Sequence, residues 1–209
     1  MFEIAQKADA RAIIKRLFSY FCFGLVTTGL FLALLGRDAI HTMATQTFWP
    51  ADRVVPVVVL AYVIYGLFLW THLGILVANR TGYLGAVSLV AALSNIAFNW
   101  LLIPRWGMMG AAWATVLSFA VRFVGAYVAS QRLMPIPYDW ARALKMASAA
   151  MLVYILSHWI SVDGLLTSVM VNVLLLSGFL FCSYKMNILS AEQKRHLVRL
   201  VQHPIAAIK

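Results

Sequence analysis

Six stretches of this chain are apolar over 18 to 25 consecutive residues: Leu17 to Leu35, Val54 to Ala78, Gly82 to Ile103, Met108 to Ala129, Ala143 to Ile160 and Leu165 to Tyr184. A helix of about 20 apolar residues crosses the hydrocarbon of a bilayer. In that solvent the backbone must satisfy its own hydrogen bonds, which a helix does within one segment. The expected fold is therefore all-α and polytopic, with about six transmembrane helices. Composition agrees. Charged residues make up 11% of the chain, against about 25% in a typical soluble domain, and the mean hydropathy is +0.84. Residues 1–16 form a polar N-terminal segment, 17–184 the membrane portion and 185–209 a basic tail.

The net charge of +10 does not imply a nucleic-acid partner, because the basic residues sit between apolar runs rather than in a groove-sized patch. Their placement instead sets orientation. With the N-terminus in the cytoplasm, thirteen Lys and Arg fall on the inner side, and only Arg37, Arg53 and Arg105 fall outside. By the positive-inside rule the N- and C-termini are both cytoplasmic. The first apolar run has no small-residue cleavage signal and reads as a span rather than a signal peptide. Gly36 to Arg53 is the longest external segment, with Phe48, Trp49 and Pro50 suited to the membrane interface. Between the third and fourth spans lie only Pro104, Arg105, Trp106 and Gly107, which predicts a tight antiparallel hairpin. The tail over 190–202 predicts a short surface helix: Ser190 and Gln193 have capping-box spacing, Leu197, Leu200 and Val201 face lipid, and Lys194, Arg195 and Arg199 face anionic headgroups. A solvated basic tail is the alternative.

Polar side chains inside spans are costly and so mark sites. On the fourth span Ala111, Thr115, Ser118, Arg122, Gly125 and Ala129 share a narrow stripe at 100° per residue, opposite Trp113, Val116, Phe119, Phe123 and Tyr127. The small stripe, opened by Gly107 and Gly110, predicts close helix packing. The bulky side is expected to face lipid. Arg122 then points into the protein or a water-filled cavity; the alternative is that it snorkels to the inner surface. On the third span Gly85, Ser88, Ala92, Asn95 and Asn99 share a face, and the two amides serve as interhelical glue or as ligand contacts. Tyr62, Tyr65 and His72 lie on one side of the second span, where a structural hydrogen bond is the common fate of such a histidine.

The seven carboxylates are placed by the sequence outside the spans or at their ends, leaving no embedded acid as a proton or sodium relay. No phosphate-binding Gly-x-x-x-x-Gly-Lys-Ser/Thr loop, no His/Cys metal spacing and no catalytic acid pair occurs. Neither an autonomous enzyme nor a cofactor is expected. Cys22 and Cys182 lie in apolar runs and read as small hydrophobes. The sequon at Asn79, Arg80 and Thr81 falls in a short inner turn, where glycosylation is not expected.

The run from Asn95 through Asn99, Pro104, Gly107 and Gly110 to Thr115 resembles a recurrent segment of bacterial polysaccharide flippases of the multidrug/oligosaccharidyl-lipid/polysaccharide superfamily. Trp49 to Pro56 and Arg80 to Gly82 resemble it too, and the likeness covers roughly Leu17 to Tyr184. It implies a C-terminal portion of a transporter of 12 to 14 spans, in the bacterial inner membrane, with the N-terminal lobe missing or supplied by a partner chain. The implied cargo is an undecaprenyl-pyrophosphate-linked glycan. Arg122 would meet the pyrophosphate, and Asn95, Asn99, Tyr62, Tyr65 and His72 the sugar. Membrane lipids are the other partners. A cation or drug exporter of the same superfamily, a non-transporting scaffold or remnant, and a polytopic glycosyltransferase are the competing readings. The first would want an embedded carboxylate, the last acidic or basic clusters in the outer loops.

Overall fold

A computed structural model describes residues 10–160 and 164–185 of the chain. The described residues form helices and connecting turns, without strands: α1 (Ala10–Met43), a 3-10 segment (Gln46–Arg53), α2 (Val55–Thr71), α3 (Leu73–Val77), α4 (Gly82–Leu133), α5 (Trp140–Trp159) and α6 (Leu165–Lys185). The protein is all-α. Among the described residues four stretches are long and apolar enough to cross a membrane: Ile13–Met43, Val55–Val77, Gly82–Leu133 and Leu165–Ser183. The surface helix expected over 190–202 lies outside the described residues.

The longest of these is two helices in one. At 52 residues α4 would extend about 78 Å if straight, but Gly107 has φ 55° and ψ −129°, a conformation open to glycine and strained for residues with a Cβ. The chain folds back there into arms 82–106 and 108–133, the hairpin expected from Pro104 and Gly107. The arms touch closely: a Cβ on Gly110 would collide with the carbonyl of Leu102, and one on Gly125 would press on Val87. Asn95 Nδ2 donates to Ser118 Oγ across the gap at 2.9 Å.

Three expectations change. First, α1 does not stop at Leu35. Nothing between Gly36 and Met43 breaks a helix, so much of the expected external segment is helical, and the remainder is the 3-10 turn. Second, the second span, continuous over Val55–Val77 as expected, carries an irregular turn at His72. The carbonyl of Phe68 accepts from the backbone N–H of His72, from Thr71 Oγ1 and from His72 Nδ1; such side-chain bonds compete with the helical ladder. Beyond α3 the chain turns through Asn79, whose φ of 54° suits asparagine better than most side chains. Arg80 N donates to Ile75 O and Asn79 N to Leu76 O, the paired bonds of a Schellman C-cap. Third, the bulky side of 108–133, Trp113 excepted, does not face lipid. Val116 is buried, and Phe119 and Phe123 pack in the protein on Tyr65 and Trp140. The outward residues are Trp113, Leu117, Val124 and Val128.

Helix α5 starts at an N-cap, Asp139, which accepts from Arg142 N at 3.3 Å. It carries Arg142 and Lys145 near its start and is not among the four stretches apolar enough to cross, although a span was expected there. Packing runs in sequence: α4 on α2, α2 on α1, α1 on α5 and α6. Large apolar side chains such as Leu93, Ile96, Trp100 and Leu174 project outward, as a lipid-facing exterior requires. Cores form at Phe18, Cys22 and Met146, at Leu30, Leu34 and Phe179, and at Phe68, Ile75 and Ala126. Lys15 pairs with Asp139 and Ser168 with Asp38, so the connections gather alternately at two ends of the bundle.

Candidate functional site

The third core is where the polar residues converge. Arg122 stands near the middle of arm 108–133, with about 16 Å of helix between it and Leu133. Its guanidinium does not extend along the arm. Cζ lies over the Phe68 ring at 4.4 Å and near that of Tyr65 at 5.6 Å, and Nη2 donates to Ser88 Oγ at 3.2 Å. Nε is shielded from solvent and has no hydrogen-bond partner. No carboxylate pairs with it among the described residues. A cation in an apolar bundle is thus held by two aromatic faces, each worth roughly 0.5–2 kcal/mol depending on desolvation, and by one neutral hydroxyl.

Tyr62, Tyr65 and His72 share this side of α2, as their spacing predicts. Tyr65 contacts Phe119 at 5.1 Å between centroids, and Tyr62 reaches the same ring at 6.1 Å. His72 stacks on Phe68 at 5.0 Å, and its Nδ1 lies 3.1 Å from the Phe68 carbonyl, so that nitrogen carries the hydrogen. Tyr62 is 61% exposed near the middle of α2. A phenol at that depth asks for water or a polar neighbour rather than hydrocarbon. The Asn95 and Asn99 amides sit farther towards the hairpin bend. Asn99 Nδ2 donates to Asn95 Oδ1 and Asn95 O, Asn95 donates to Ser118, and Ser118 Oγ donates to Thr115 O. Thr115 Oγ1 bonds back to Ala111 O. These amides tie the two arms together. Of the expected packing residues, Gly110 and Ser118 are buried at the arm interface, whereas a Cβ on Gly107 would meet open space; Gly107 contributes its conformation.

The sequence reading passed over Phe68, which contacts both Arg122 and His72. The i, i+3, i+7 spacing of Tyr65, Phe68 and His72 would have placed it on their face. It also missed a polar cluster between α1 and α6. Because α1 runs on to Met43, Asp38 lies inside a helix rather than in a loop. Its oxygens accept from Ser168 Oγ at 3.0 and 3.1 Å and from Asn172 Nδ2 at 3.2 Å, and Asn172 also donates to Leu34 O. Nearby, His41 Nε2 meets Asp52 Oδ2 at 3.0 Å, stacks on Trp49 at 4.6 Å, and shares that carboxylate with Arg37. These contacts fasten the 3-10 segment to α1. Among the described residues no group of three His, Cys, Asp or Glu is placed to hold a metal ion.

Comparison with family models, curated proteins and solved structures finds no match to this chain.

Proposed function

We propose that this chain is one lobe of a transporter for lipid-linked oligosaccharide in a bacterial inner membrane, working with a second lobe that faces the Arg122 surface. In this reading six helices cross the bilayer with both termini in the cytoplasm, α5 and each arm of α4 counting as one crossing. The observation that carries the proposal is the arginine in the middle of an apolar bundle with no carboxylate beside it among the described residues. Such a charge needs water or an anionic partner. A pyrophosphate headgroup fits, since a guanidinium grips phosphate oxygens in pairs. Tyr62, exposed nearby, offers a polar tip and an apolar face to sugar. Transport would proceed by alternating exposure of the cavity between lobes.

Asp38 favours a second reading, a cation exporter of similar architecture, by supplying a carboxylate within a spanning helix. Its oxygens are already occupied by Ser168 and Asn172 on α6, and it lies one to two turns from the helix end, so the anionic cargo is preferred. The test is complementation of surface polysaccharide in a flippase-null strain supplied with both lobes, with membrane abundance measured in parallel. Arg122→Ala abolishes transport at normal abundance and Arg122→Lys retains part of it, because charge survives while the fork is lost. Full activity of Arg122→Ala would remove the basis for an anionic cargo.

A further inference from the structure

Resting on that reading of the site, we infer that Phe68 is a positioning residue that fixes the plane of the Arg122 guanidinium and leaves its edge donors for the phosphate oxygens of an anionic lipid headgroup. A planar guanidinium has two ways of being held. Aromatic rings engage its face, and hydrogen-bond acceptors engage its five in-plane N–H groups. Here the Phe68 ring lies beneath Cζ at 4.4 Å, with that of Tyr65 farther out at 5.6 Å. Of the edge donors, Nη2 gives one bond to Ser88, and Nε has no partner although it is shielded from solvent. A carboxylate in place of the rings would have consumed the fork. The rings hold the charge without consuming it.

Phe68 is itself closely packed. It is 3% exposed, packs with Ile75 and Ala126, and stacks on His72, which is bonded to the Phe68 carbonyl. The orientation of the fork is thereby set before a ligand arrives, and the entropy of ordering it is not lost on binding. An oxyanion reaching the site exchanges no ion pair; it fills vacant donors with charge-assisted bonds.

The experiment uses the full chain in lipid nanodiscs with 15N-labelled arginine. The probes are farnesyl pyrophosphate, as a pyrophosphate-headed prenyl lipid, and inorganic pyrophosphate, which separates headgroup recognition from lipid-tail binding. Without ligand, the Arg122 Nε–H resonance is displaced upfield by the Phe68 ring, and Phe68→Leu removes the displacement while Phe68→Tyr keeps it. On titration, Phe68→Leu binds farnesyl pyrophosphate about tenfold more weakly, Phe68→Tyr restores binding, and Phe68→Leu has no further effect in an Arg122→Gln background. That last outcome separates positioning from general damage to the fold, since a structural loss would persist without the arginine. Inorganic pyrophosphate follows the same order at lower affinity if the headgroup is what is read. Unchanged binding by Phe68→Leu, or an equal loss in the Arg122→Gln background, overturns the inference and leaves the proposed function standing. A normal ring displacement with no binding of either probe by the wild-type chain overturns the functional reading, and with it the ligand assigned to the fork.

Discussion

Arg122 shows how far a single position can be read from sequence. Its place on the small-residue stripe of arm 108–133 directed it inward, and it does point at α2 and arm 82–106. What holds it was not legible, because cation–π contact depends on where α2 lies, and no spacing within one helix reports that. Tyr138 illustrates the same point. It lies between α4 and α5 among Phe18, Tyr127 and Trp140. Burial pushes its hydroxyl up to about 12, with Ser130 pulling slightly down and Tyr127 adding to the rise. A raised folded-state value means that the neutral phenol is favoured in the fold. Its contribution to stability is complete below the ordinary value near 10 and is lost as pH climbs through about 12. Thermal unfolding of Tyr138→Phe in detergent is therefore expected to fall less steeply than wild type between those pH values. Parallel curves would mean that the phenol ionises equally well in both states.

The hairpin is the element whose sequence is most informative. Pro104, Gly107 and Gly110 sit where a tight turn and a close backbone approach require them, and the structure uses Gly107 for its dihedrals and Gly110 for contact with Leu102. Gly107→Ala strains the turn by about 1–3 kcal/mol. Gly110→Leu must part the arms and lowers folded yield more severely. Val116→Leu, at a position the sequence alone assigns to lipid, now also destabilises, by about 1–3 kcal/mol, because the site is buried and packed. Folded yield and unfolding midpoints in detergent rank the three. Tolerance at Gly110 would show that the arms are not tightly apposed. The link between α1 and α6 is tested by Asn172→Ala, which removes bonds to Asp38 and Leu34 and lowers stability by roughly 0.6–1.7 kcal/mol, the range for interhelical polar contacts in membranes. The end of α1 misled the sequence reading for a physical reason. Gly36, Arg37 and Asp38 look like a loop by polarity, yet Thr42 Oγ1 bonds to Asp38 O within the helix, and Asp38 finds its partners on α6, 130 residues away.

Taken whole, the molecule was legible as an all-α membrane protein because apolar length and backbone satisfaction leave few alternatives. The order in which helices pack was not, since apolar surfaces of similar composition do not name their neighbours. The described residues bring Lys15, Arg142, Arg80 and Arg132 to the end of the bundle where α1 begins, and Arg37, Arg53 and Arg105 to the end where α4 bends. In the proposed topology the first end lies in the cytoplasm, as the positive-inside rule expects from the basic residues of the whole sequence. The direct measurement is cysteine accessibility in intact cells, in a variant carrying Cys22→Ala and Cys182→Ser. A membrane-impermeant maleimide added outside is expected to label Thr45→Cys and Met108→Cys, to label Thr81→Cys only after permeabilisation, and to leave Leu93→Cys, in the middle of arm 82–106, unlabelled throughout. Labelling of Thr81→Cys in intact cells with protection of Thr45→Cys and Met108→Cys would invert the orientation, and free labelling of Leu93→Cys would contradict a hairpin buried in lipid.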